Sequence, residues 1–275
     1  MGFVIDKQGN YLPVFGEAQG GGGGGTSNHS QLSNLDYATA GHTGFMPSAD
    51  FIADGTTYTV KADGTADYTT LTDAVNDLYS KWCNGTVNIE IDGSITDTAG
   101  IAVNSDKNYN IPVLRISGKN SATITYNSTS TPFFEIHNAR VIISDVSFVN
   151  SAGESSKLYT ALKAWRGSIL TLSNVSISGG FIIARQLGQI EILGNLTINN
   201  NLVAIYAQVG GFIVSDATGT ITSNCSWLLQ GWQGGYIAIP DGKSLSFTGS
   251  NLSLTPNGTA DSNGYTRYPS AWDNQ

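Results

Sequence analysis

The feature that most constrains this chain is a strand-turn-strand unit that recurs from residue 87 onward with no helical pattern between its copies. The copies read IEIDGSI from Ile89, LRISGKNSATI from Leu114, VIISDVSF from Val141, ILTLSNVSI from Ile169, IEILGNLTI from Ile190, FIVSDATGTI from Phe212 and YIAIPDGKSLSF from Tyr236. Their starts lie 25, 27, 28, 21, 22 and 24 residues apart. A spacing of that size, filled by short strands and turns, matches one coil of a parallel β-solenoid, in which each coil buries its apolar side only by stacking on its neighbours.

The alternation within each copy assigns sides. Ile, Val and Leu take the inward positions, and Ser, Thr, Asn and Gln the outward ones. Asp145, Asn174, Asn195 and Asp216 fall at one corner, where Asn and Asp tolerate a left-handed backbone and can bond one another from coil to coil. A corner Asn, an inward apolar residue and an outward hydroxyl together spell Asn-x-Ser/Thr, as in Asn174-Val-Ser176, Asn195-Leu-Thr197 and Asn251-Leu-Ser253. These tripeptides are therefore read as solenoid corners, not as glycosylation sites.

One helix precedes the repeats. Tyr58-Thr-Val60 alternates, Ala62-Asp63-Gly64 signals a turn, and Leu71, Ala74, Val75, Leu78 and Trp82 then follow helical spacing. The pattern predicts a helix over about 70–82, capped by Thr69 or Thr70 with Asp73 in its first turn, and stopped by Asn84-Gly85. A single helix placed before a run of strands suits the covering of a solenoid's first open edge.

Charge narrows the partners. The chain has 275 residues, with 13 Lys and Arg against 21 Asp and Glu, for a net charge of −8. It shows no basic cluster, so neither nucleic acid nor membrane insertion is expected. No leader or membrane-spanning run is seen, and assembly in a cytoplasm is expected. Cys83, Cys225, His29, His42 and His137 have no ligand spacing and are read as packing or solvated residues, with no metal and no cofactor.

Residues 1–19 are too few to bury a core alone and are read as a docking segment. Residues 20–25 are six glycines, a hinge. Residues 26–55 form a connector. Within it, His29-x-x-Leu32-x-Asn34-Leu35-Asp36-Tyr37 followed by Ala40-Gly41-His42-Thr43-Gly44-Phe45 resembles a short element of phage tail-associated and receptor-binding proteins. That resemblance implies a protein exposed on a virion, docked to other virion proteins through its N-terminus.

Residues 56–256 form the solenoid domain, and 257–275 a C-terminal cap or tip. The segment from Val60 through Ala62-Asp63-Gly64 to Ala74-Val75, together with the repeats, resembles the pectin-lyase-like superfamily. The expected fold is all-β: a single-stranded parallel β-helix of about seven coils with one N-terminal capping helix, preceded by an extended anchor. The right hand and a homotrimeric state are what the resemblance implies.

Members of that superfamily often cleave polysaccharide, so the carboxylates matter. Glycoside hydrolysis needs two of them across one bond. Asp145 and Asp216 are turn residues, and Asp241 sits in a Pro-Asp-Gly turn. Glu135 and Glu191 are the catalytic candidates, a usable pair only if they share a face. The Gln, Asp and Arg motifs of the methylesterases do not follow.

Aromatic residues point to binding. Tyr159, Trp165, Tyr206, Trp227, Trp232 and Tyr236 occur at or beside the strand before each reference strand, with Arg166, Arg185, Gln186, Gln208, Gln230 and Gln233 among them. Rings flanked by amides suit a sugar's C–H faces and hydroxyls, and equally suit packing within the solenoid or between subunits. Tyr265, Tyr268, Pro269 and Trp272 would cap the last coil, swap onto a neighbour or form a tip. The functional expectation is a phage tail-fibre or receptor-binding protein that attaches the particle to host-surface glycan. A tailspike-type depolymerase and a structural head or tail fibre are the alternatives.

Overall fold

The computed structural model describes residues 2–5, 11–14, 51–79, 81–104, 110–127, 132–152, 160–199, 203–216, 218–224, 227–232, 235–238, 244–247, 259–260 and 265–267. The chain divides into two units, Met1–Pro47 and Ser48–Gln275. In the first, Gly2–Ile5 pairs antiparallel with Tyr11–Val14. The glycine hinge and residues 26–50 of the connector, with His29 and His42, lie outside the described residues, as do Tyr159, Cys225, Tyr268, Pro269 and Trp272.

The second unit is a parallel β-solenoid of six complete coils and a partial seventh. Each coil visits three faces in turn. The third coil shows the plan: Arg140–Ser144 on the first face, Ser147–Asn150 on the second and Thr160–Trp165 on the third. In the first two coils a single long strand, Thr86–Thr96 and then Val113–Tyr126, bends through the first two faces. Every pairing between successive coils is parallel, for example Val141 with Leu114 below and Leu170 above.

The core is a stack of inward columns. Val87, Leu114, Val141, Leu170, Ile190, Ile213 and Ile237 stand one above another on the first face, all buried. This register corrects the sequence alignment of the first face: the first copy begins at Val87, two residues before Ile89. The copies placed at Ile169, Phe212 and Tyr236 each slide by one, so those three side chains point outward. A one-residue slip would turn every apolar side chain to water, which is why burial fixes the register.

The corner between the first and second faces is a polar ladder. Asp145 and Asn174 are left-handed, with φ of 58° and 53°. Asn174 Nδ2 donates to Asp145 Oδ1 at 3.1 Å, and Asn195 Nδ2 to Asn174 Oδ1 at 3.2 Å. Asn195 itself is not left-handed, because Gly194 with φ 97° takes that conformation for it. The Asn-x-Ser/Thr tripeptides at 174 and 195 are corner, inward and outward residues as read, with Val175 and Leu196 buried.

Both ends are closed. The helix spans Leu71–Asp77 and sinks Leu71, Ala74 and Val75 into the core, and Thr70 Oγ1 accepts from the Asp73 N–H at 3.1 Å. It stops short of Trp82, which instead starts a two-residue strand, Trp82–Cys83, paired with Phe51–Ile52. At the other end Tyr265–Arg267 runs antiparallel along Tyr236–Ala238 and covers that edge.

Candidate functional site

The three faces carry different chemistry outward. The second is a lawn of hydroxyls: Thr123, Ser147, Ser176 and Thr197 stand in one outward column. The first is more apolar, with Arg140, Ile169, Gln189, Phe212 and Tyr236 stacked in register. The third concentrates charge and aromatic rings.

On the third face two outward columns rise side by side. One runs Ala102, Glu135, Lys163, Ile183, Tyr206, and the other Asn104, His137, Trp165, Arg185, Gln208. Between them Val103, Ile136, Ala164, Ala184 and Ala207 point into the core. Strand alternation alone thus presents the functional groups of successive coils about 4.8 Å apart.

The centre of this strip is Trp165. Lys163 Nζ lies 3.8 Å from its ring centroid and Arg166 Cζ 4.9 Å, and the His137 ring is 4.8 Å away. Its indole N–H donates to Gln186 Oε1. The ring is clasped by cations, which lowers its value as a bare stacking platform and gives it a role in holding Lys163 and Arg166 in place.

Glu135 Oε1 sits 2.5 Å from Lys163 Nζ and 3.2 Å from His137 Nε2. These are ion-pair distances without hydrogen-bond alignment. Glu135 Oε1, His137 Nδ1 and Arg185 Nε are three of the five buried side-chain atoms that lack a hydrogen-bond partner among the described residues. The two ion pairs compensate Glu135 Oε1, whereas each of the other two atoms costs about 1–3 kcal/mol, a cost on this face that an incoming polar ligand or partner would relieve. Burial, opposed by the nearby Arg185 charge, pushes the Tyr206 phenol up to about 12, so it stays a donor at neutral pH.

Not all the expected residues join the strip. Tyr236 lies on the first face, its ring 6.2 Å from that of Phe212. Trp227 and Trp232 occupy third-face strand positions beside Val203 and Gln208, and their side chains lie outside the described residues. Glu191 is on the first face, accepting from Thr171 Oγ1 at 2.9 Å and Gln189 Nε2 at 2.8 Å. Glu135 and Glu191 therefore belong to different sheets, and the shared face that a catalytic pair requires is not formed.

Sequence reasoning named Arg185 beside the rings but missed Lys163 and the placement of His137. The signal was available in the four strand cores FEIH, LKAW, IIAR and IYAQ, which align as a second repeat. Among the described residues no three His, Cys, Asp or Glu side chains converge as a metal site. Comparison of the chain with protein-family models, with curated proteins and with solved structures gives no match.

Proposed function

We propose that this chain is a phage virion appendage protein that attaches the particle to host-surface carbohydrate through the third face of its solenoid. The carrying observation is the strip of Glu135, His137, Lys163, Trp165, Arg185 and Tyr206, in which the buried His137 Nδ1 and Arg185 Nε have no hydrogen-bond partner among the described residues. Rigid strands hold these groups in rows, so repeated sugar units meet repeated donors with little ordering cost. In this reading the N-terminal unit docks to other virion proteins, the chain works as a homotrimer on the particle, and the more apolar first face supplies the contact between copies.

The test is retention of purified protein on candidate host cells, with release of reducing or unsaturated sugar ends followed in parallel. Retention that falls at least tenfold in Arg185→Ala and Tyr206→Ala, without sugar release, is the expected result. Wild-type protein that no candidate cell retains would overturn the reading.

A depolymerase is the second reading, favoured by one arrangement: Glu135, His137 and Lys163 converge on one another at the strip. Sugar release lost in Glu135→Gln and kept in Glu191→Gln would establish it.

A further inference from the structure

Trp82 was expected on the buried face of a helix, yet it is 47% exposed. It lies in a short strand held on two sides, by Phe51–Ile52 and by a bridge to Asn110. It lines a groove of about 530 Å³ together with Cys83, Asn110, Pro112, Asn138, Arg140 and Gly167, among others. Of the two tryptophans whose side chains are described, Trp165 is clasped by cations, and Trp82 has no cation or ring against its indole among the described residues.

We infer that this groove is a binding site for an acidic sugar, with the Trp82 indole stacked on the ring and the Arg140 guanidinium paired with its carboxylate. Three observations carry it. An exposed aromatic ring on a braced backbone is a platform for the C–H face of a pyranose. The volume lies in the range of small-ligand sites and is lined by apolar surface with a few polar groups. The lining contains Arg140 and no carboxylate, in a chain of net charge −8, and none of the ion pairs described involves Arg140. A guanidinium is suited to a carboxylate because its donors form a planar fork.

The groove lies where the third face turns into the first. His137 leads directly to Asn138 and Arg140, and Trp165 and Arg166 lead to Gly167. A glycan laid along the strip can therefore continue around this corner. The inference rests on the proposed attachment to carbohydrate and names the chemistry of one of its units.

The probes are a β-1,4-linked hexaglucuronate and cellohexaose, which share a backbone and differ at the carboxylate, titrated calorimetrically into the full chain. Hexaglucuronate is expected to bind at least tenfold more tightly than cellohexaose. Trp82→Ala should weaken hexaglucuronate at least tenfold and Trp82→Phe about threefold at most, since a ring remains. Arg140→Gln should abolish the preference for the acid. Thermal melting checks each variant, and if Trp82→Ala does not fold, Trp82→Phe and Arg140→Gln carry the test. Equal affinity for the two probes, binding of neither, or indifference to Arg140→Gln would overturn the inference. Groove variants that change nothing while Arg185→Ala loses cell retention would sink the groove and leave the attachment standing. Wild-type protein that is not retained on any cell would remove the attachment itself.

Discussion

Asp97 fastens the helix to the solenoid through Thr72: one carboxylate oxygen accepts from the Thr72 backbone N–H at 2.7 Å, the other from its hydroxyl at 2.7 Å. Asp97 is 2% exposed and follows the strand Thr86–Thr96. Its own N–H donates to Thr125 O at 2.8 Å, so helix and second coil meet at one residue. A seven-residue helix is not stable alone, and this buried clasp, with the Thr70 cap, sets its place over the first coil.

Asp97→Ala should therefore cost about 2–4 kcal/mol, because a charged acceptor is lost and a buried N–H is left unpaired. Thr70→Ala removes an exposed cap and should cost about 1 kcal/mol. Urea melts of the two variants check the order, and equal costs would show that the clasp adds nothing to an ordinary cap.

The corner between the third and first faces repeats a two-residue left-handed turn. Arg166-Gly167, Gln186-Leu187 and Val209-Gly210 have φ of 51° and 73°, 49° and 64°, and 50° and 69°. The residue after each turn is Ser168, Gly188 or Gly211. A Cβ on Gly188 would lie 2.2 Å from Ala164 O, and one on Gly211 2.1 Å from Ala184 O, both backbone atoms of the coil beneath. Gly188→Ala should cost several kcal/mol by forcing two coils apart, on the order of an overpacked core. Leu187, left-handed and 67% exposed, is the opposite case. Leu187→Gly should stabilise by up to about 1 kcal/mol, less the added freedom of the unfolded chain. Opposite shifts in melting temperature at adjacent positions are the expected signature.

At the polar ladder the contributions of backbone and side chain separate cleanly. Asn174→Gly keeps the left-handed conformation and loses the bonds to Asp145 and Asn195. Asn174→Ala loses both. The alanine variant should be less stable than the glycine variant by about 1 kcal/mol, despite glycine's greater unfolded freedom. Thermal denaturation of the pair decides it, and a more stable alanine variant would mean that the left-handed φ at this corner costs less than the unfolded freedom that glycine adds.

Much of this architecture was legible because a solenoid repeats its physics. The inward column at Leu114, Val141 and Ile190, the corner at Asn174 and the single helix all follow from local alternation and turn chemistry. The register slipped at Ile169, Phe212 and Tyr236 because each of those strands begins with an apolar residue on the outward side, and at Ile89 because Val87 and Ile89 are both buried and either could start the column; only the coils above and below decide. Trp82 fitted the helical spacing of Leu71, Ala74, Val75 and Leu78, but the chain leaves the helix at Asp77 to pair with Phe51–Ile52, a contact distant in sequence. The strip at Trp165 was found by its rings alone. Its charges needed the register of the third face, where Glu135, Lys163 and Tyr206 share a column although 28 and 71 residues separate the first from the others.

Tyr126 offers a test of the interior. Its ring stacks on Phe133 with centroids 4.5 Å apart, and its hydroxyl is buried without a partner. Burial raises this phenol above its ordinary value of 10.0, and burial likewise raises Tyr206 to about 12. A raised phenol keeps its proton in the fold while the unfolded chain gives its proton up, so the stabilising contribution is whole below the unfolded value and is lost as pH climbs through and beyond it. Stability should hold below about pH 9 and fall steeply between about pH 10 and 12. Tyr126→Phe removes an unsatisfied buried hydroxyl while keeping the stack. It should stabilise the fold at neutral pH by about 1 kcal/mol and flatten the alkaline decline. Urea unfolding of both proteins from pH 7 to 11.5 reads the two effects together. A phenylalanine variant that is less stable at pH 7 would show that the Tyr126 hydroxyl has a partner inside the solenoid.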